Sequence, residues 1–114
     1  MPLQKGPGSV RAALFGGQGD VSVWSLLGAE APPFTAVLSC ELSPGVSVGA
    51  HVQQEFPEIV IGLEGEGEAT VDGRPHPLRP GDVAYLPLGS VLAIENRSSD
   101  LPLRYLIVKA REYP

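Results

Sequence analysis

The 114 residues, 12.0 kDa, suffice for one hydrophobic core and leave no room for a second. Thirteen acidic against eight basic side chains give a net charge of −5, with no Lys/Arg cluster of the kind that neutralises phosphates, so nucleic acid is not an expected partner. A lone cysteine, Cys40, excludes an intramolecular disulfide, a thiolate zinc site and a CxxC redox pair, and no run of eighteen apolar residues offers a membrane span; the expectation is a soluble cytoplasmic chain without membrane contact.

Glycine and proline together supply 26 of the 114 residues, and the longest stretch free of both is Ser90 to Leu101, which itself holds the turn cluster Asn96-Arg97-Ser98-Ser99-Asp100. Long helices are therefore excluded. Residues 1–20 are dense in both breakers and read as an N-terminal arm or loose first strand, with residues 21–114 forming the folded body. The expected strands are Val21 to Leu27, Phe34 to Leu42, Ser47 to Gln53, Glu58 to Leu63, Glu68 to Val71, Val83 to Leu86, Val91 to Glu95 and Leu103 to Val108. Eight short strands imply an all-β sandwich or barrel. Alternation is visible in Val21, Val23, Ser25 and Leu27 against Ser22, Trp24 and Leu26, and in Tyr105 and Ile107 against Arg104 and Lys109. Asp72-Gly73 has the composition of a two-residue hairpin turn that needs positive φ at both central positions. Just beyond it, the prolines of Arg74-Pro75-His76-Pro77 suggest an edge or loop with His76 in solvent. Glu64, Glu66 and Glu68, spaced by two, read as one solvated sheet face.

The chemistry-bearing segment runs Gly45, five residues, His51, one residue, Gln53, four residues, Glu58, six residues, Gly65. A second pattern follows: Gly81, five residues, Pro87-Leu88-Gly89, two residues, Leu92, three residues, Asn96. Residues two apart on a strand share a face, so His51 and Gln53 project together. These two patterns resemble the paired motifs of the cupin superfamily, with every spacing kept, Gln53 in place of the second motif histidine and Leu92 in place of the third. The resemblance implies a single-domain jelly-roll β-barrel and a pocket lined by His51, Gln53, Glu58 and Leu92. It also implies a divalent transition metal as the family cofactor, for which His51, Gln53 and Glu58 are the remaining ligand candidates. An amide oxygen is a poor donor to such metals and Leu92 offers none, so the same residues also read as a hydrogen-bonded cluster in an apolar cavity.

Two readings of function stay open. In one, the barrel binds a small organic ligand beside a degenerate metal site, as a homodimer. In the other it is an enzyme, either a metal-dependent dioxygenase or isomerase with a reduced ligand set, or a metal-free isomerase of the sugar type in which Glu58 and His51 move protons. Tyr85 is a possible companion to that pair, whereas Cys40 reads as a buried core thiol.

Overall fold

Short β-branched runs separated by Gly and Pro leave this chain few options other than strands, and a computed structural model, which describes residues 3–5, 8–28 and 31–111, contains ten of them and no α-helix among those residues. They are β1 (Ser9–Ala12), β2 (Asp20–Ser25), β3 (Phe34–Leu42), β4 (Ser47–Val52), β5 (Glu58–Glu64), β6 (Gly67–Val71), β7 (Arg74–Leu78), β8 (Val83–Leu86), β9 (Val91–Asn96) and β10 (Leu103–Ala110), with a 3₁₀ turn at Leu14–Gly16. All pairings are antiparallel, in a six-stranded sheet of order β1-β2-β3-β10-β5-β8 and a four-stranded sheet of order β4-β9-β6-β7. The chain passes repeatedly between the sheets, the jelly-roll arrangement that the motif resemblance implies.

The core lies between the sheets. Val21, Leu42, Val60, Leu103 and Tyr105 face it from the larger sheet, and Ala69, Leu78, Leu92 and Ile94 from the smaller. On the opposite side of the larger sheet, Ile59, Ile61, Leu106 and Val108 remain half-buried, and Val83 and Tyr85 on the edge strand β8 are exposed.

Two pairs of crossovers close the ends of the sandwich. At one end Asn96, buried at the close of β9, ties the β3–β4 turn to the β9–β10 loop. Its backbone N–H donates to Val46 O and its backbone oxygen accepts from Gly45, at 3.0 and 3.2 Å. Its side-chain Nδ2 donates to Leu42 O (3.0 Å) and Leu101 O (2.9 Å), and Oδ1 accepts from Ser98 N–H. At the other end the backbone of Gln53 is bonded on both sides to the β8–β9 turn: Gln53 N–H donates to Ser90 O (2.9 Å) and Gln53 O accepts from Gly89 N–H (2.8 Å). Gly89 reaches this position with φ 90°, a conformation that costs other L-residues about 1–2 kcal/mol.

The Asp72-Gly73 turn has positive φ at both residues, as its composition requires, and the Asp72 carboxylate also accepts from Val91 N–H. Arg74–Leu78 is a strand that propensity did not reveal. Its prolines are tolerated because β7 is the outer edge of the smaller sheet, and His76 is exposed there. The three glutamates do not share a face: Gly65-Glu66 carries the chain from one sheet to the other, so Glu64 pairs with Arg104 and Glu68 with Arg97.

Asn96→Ala removes two donors to backbone oxygens and leaves Leu42 O buried without that partner. It is expected to lower unfolding free energy by about 2–3 kcal/mol in urea denaturation. A loss below about 0.5 kcal/mol would show that the tie contributes little to holding the barrel end.

Candidate functional site

Between the sheets lies a cavity of about 410 Å³, walled by Val21, Val23, Leu38, Val48, Leu92, Ile94 and Ile107. This volume and apolar lining suit a small organic molecule. His51, Gln53, Glu58 and Leu92 all reach it.

His51 owes its inward direction to an irregularity in β4. Val48 pairs with Ile94 and His51 pairs with Leu92, so three steps on β4 match two on β9. Without the extra residue, period-two alternation from the buried Val48 would turn Ala50 inward and His51 outward. The ring is held from both edges. Nδ1 lies 3.0 Å from Gly49 O and Nε2 lies 3.2 Å from Gln53 Nε2. A carbonyl oxygen only accepts and an amide nitrogen only donates, so His51 carries its proton on Nδ1 and its Nε2 lone pair accepts from Gln53. Gln53, itself 5% exposed, is aimed by the backbone bonds to Gly89 and Ser90.

The N-terminal segment covers this group. Phe15, in the 3₁₀ turn, stacks on His51 with ring centroids 3.9 Å apart and planes 12° from parallel. The close approach depends on Gly49, where a Cβ would lie 1.9 Å from Phe15 O. Ala13 and Phe15 both adopt left-handed backbone conformations to place the ring, and Ser47 anchors the segment through bonds to both backbone groups of Gln18.

Glu58 opens β5 on the opposite wall, register partner to Leu86 on β8 and Lys109 on β10. It is 4% exposed and its Oε2 has no hydrogen-bond partner among the described residues. Burial raises its pKa above the ordinary glutamate range, opposed in part by the positive charge of Lys109. Cys40 and Tyr105, register partners on β3 and β10, complete that wall. Burial pushes the Cys40 thiol up to about 12 and raises the Tyr105 phenol well above its ordinary value, so both stay neutral and Cys40 is a poor nucleophile.

The donor set does not fit a transition metal. The Nε2 lone pair of His51 is engaged by the Gln53 amide, and Leu92, its register partner, presents hydrocarbon. No group of three or more His, Cys, Asp or Glu side chains is placed to hold an ion among the described residues. One imidazole and one carboxylate remain, short of the three protein ligands that such sites use.

Tyr85 does not join the site: it is 64% exposed on the outer face of β8. Lys109, set against Tyr105 and Ile107 in the sequence, in fact shares their face and lines the cavity, since all three are odd-numbered positions of one strand. Phe15 and Arg11 also reach the cavity, through a segment whose composition carries no periodic signal.

Residues 38–109 match the model of the family described as Cupin domain. Over 95 residues the chain is 37% identical to an oxalate-binding protein of Thermotoga maritima, covering 82% of this chain and 78% of that protein. Over 61 residues it is 43% identical to a dimethylsulfoniopropionate lyase of Ruegeria pomeroyi, a match that spans 53% of this chain and only 40% of the lyase. Among solved structures, a Thermotoga maritima protein described as a predicted oxalate decarboxylase superposes with TM-score 0.88 at 29% identity, covering 96% of each chain.

Glu58 makes stability depend on pH. The folded chain retains the proton at pH values where the unfolded chain has released it, so this contribution is full below the ordinary glutamate range and falls as pH rises through the raised titration. Glu58→Gln, neutral at every pH, is therefore expected to raise the melting temperature at pH 8 relative to the parent, with the gain shrinking toward pH 4. A variant less stable than the parent at pH 8 but not at pH 4 would contradict the direction.

Proposed function

The chain belongs to the cupin family, and on that premise we propose that it is a small-molecule-binding member whose ligand lies between the two sheets and needs no metal to hold it there. The observation that carries this reading is the hydrogen bond from Gln53 to His51 Nε2, which satisfies within the protein the lone pair that a metal would otherwise take. A cavity of about 410 Å³ with apolar walls and a few polar groups supports a small organic ligand, and the likeness to an oxalate-binding protein supports the same class of partner.

One observation favours a second reading, proton transfer on a bound substrate. Glu58 is a buried carboxyl with a raised pKa and an unpartnered oxygen, properties that suit a general acid or base. Its signature would be turnover of a bound compound lost in Glu58→Gln while binding persists.

The outer face of the larger sheet supports self-association. Tyr85, Ile59, Val108 and Val37 form one apolar row across four strands, and Val83, Ile61 and Leu106 a second beside it. Arg104, at the end of the patch, is already held by Glu41 and Glu64, so a second copy packed on these rows need not bury an unpaired guanidinium. We assign this face to a two-fold homodimer.

Two measurements test these proposals. Protein stripped with EDTA and screened against small organic compounds by ligand-observed NMR is expected to give binders that Ile94→Trp, with an indole filling the cavity, no longer holds; binding that appears only after manganese or zinc is added would contradict metal independence. In sedimentation velocity the parent is expected to run as a dimer and Leu106→Glu as a monomer, and a monomeric parent at micromolar concentration would overturn the dimer.

A further inference from the structure

The charges around the cavity are unevenly placed. Lys109 and Arg11 both line it, Lys109 from β10 and Arg11 from β1 of the same sheet. Lys109 also acts on Glu58, its register partner across β5 and β10. The remaining ionisable groups on the cavity are Cys40 and Tyr105, which burial keeps neutral, His51, whose ring nitrogens are engaged by Gly49 and Gln53, and Glu55, exposed at the rim. A buried carboxyl oxygen without a partner is costly unless something in the cavity supplies a hydrogen bond, and the half-buried Lys109 beside it brings a positive charge to the same part of the cavity.

We propose, resting on the ligand-binding reading above, that the part of the cavity bounded by Lys109 and Glu58 is a carboxylate-recognition subsite, and that the ligand is a small monocarboxylic acid. The ligand carboxylate accepts from the Lys109 ammonium, with Arg11 adding to the favourable potential from the N-terminal strand. One proton is shared between the ligand carboxylate and Glu58, which gives the buried Oε2 its missing partner. The apolar body of the acid lies against Val48, Leu92 and Ile94, where the cavity offers hydrocarbon. Leu92 thus takes part in binding at the position where the motif elsewhere carries a metal-binding histidine. A cationic ligand would face two like charges, and a second carboxylate extended toward the rim would meet Glu55.

The test compares 3-methylbutanoate with its neutral near-isostere 3-methylbutanamide by isothermal titration calorimetry at low ionic strength, on the parent, Lys109→Met and Lys109→Arg. The acid anion is expected to bind at least ten-fold more tightly than the amide, the typical effect of one charge-assisted hydrogen bond. Lys109→Met is expected to remove that preference, and Lys109→Arg to restore most of it; the circular-dichroism spectrum and melting temperature of Lys109→Met report that it is folded. Equal affinity for acid and amide, or a preference that survives Lys109→Met, overturns the carboxylate subsite and leaves the ligand-binding reading standing. If neither compound binds the parent while other neutral compounds from the NMR screen do, the subsite is again overturned alone. If nothing binds, both fall.

Discussion

The two backbone hydrogen bonds that hold Gln53 against the turn at Gly89 and Ser90 are the constraint on which the site depends. They lock together two crossovers between the sheets, β4 to β5 and β8 to β9, at one end of the sandwich. In doing so they fix the direction of a side chain that lies just beyond the end of β4, outside the sheet ladder. Gln53 then fixes His51, His51 receives Phe15, and the N-terminal segment closes over the cavity. Gly89, in a conformation that disfavours side chains, and Gly49, too close to the Phe15 carbonyl for a Cβ, are the two positions where this chain of contacts has no slack.

The two walls of the cavity are satisfied to different degrees. On the β4 side every ring nitrogen of His51 has a partner inside the protein, so that group is built and closed. On the β5 side Glu58 keeps a buried oxygen without one, beside a lysine that influences it electrostatically but makes no ion pair with it among the described residues. Buried polar groups in native proteins are nearly always paired, so an oxygen left without a partner calls for a specific explanation. Polarity is satisfied within the protein on the β4 wall and left unsatisfied on the β5 wall.

Much of the architecture was legible because turn chemistry is local. The paired glycines and Pro87, the Asp72-Gly73 hairpin and the short β-branched runs each constrain a few residues of backbone, and the observed strands follow them closely. β7 was not legible as a strand because its two prolines oppose strand formation, and only its edge position makes them harmless. The resemblance to the family motifs implied a pocket lined by His51, Gln53, Glu58 and Leu92, and all four side chains reach the cavity. Lys109 and Phe15 were not among the residues it implied. Lys109 is a charged residue at an inward position, against the usual rule that charge faces water, and Phe15 reaches His51 only through left-handed backbone at Ala13 and at itself, which no periodic pattern encodes. The bulge between Val48 and His51 was equally hidden, although the inward direction of His51 requires it.

The central claim, that Gln53 rather than a metal occupies His51 Nε2, is tested most directly by long-range ¹H–¹⁵N correlation of the His51 ring at a pH where the ring is neutral. The account predicts a proton on Nδ1, an unprotonated hydrogen-bonded Nε2, and no change when one equivalent of zinc is added. A large shift of Nε2 at stoichiometric zinc would show that the nitrogen is a metal ligand and would contradict the account.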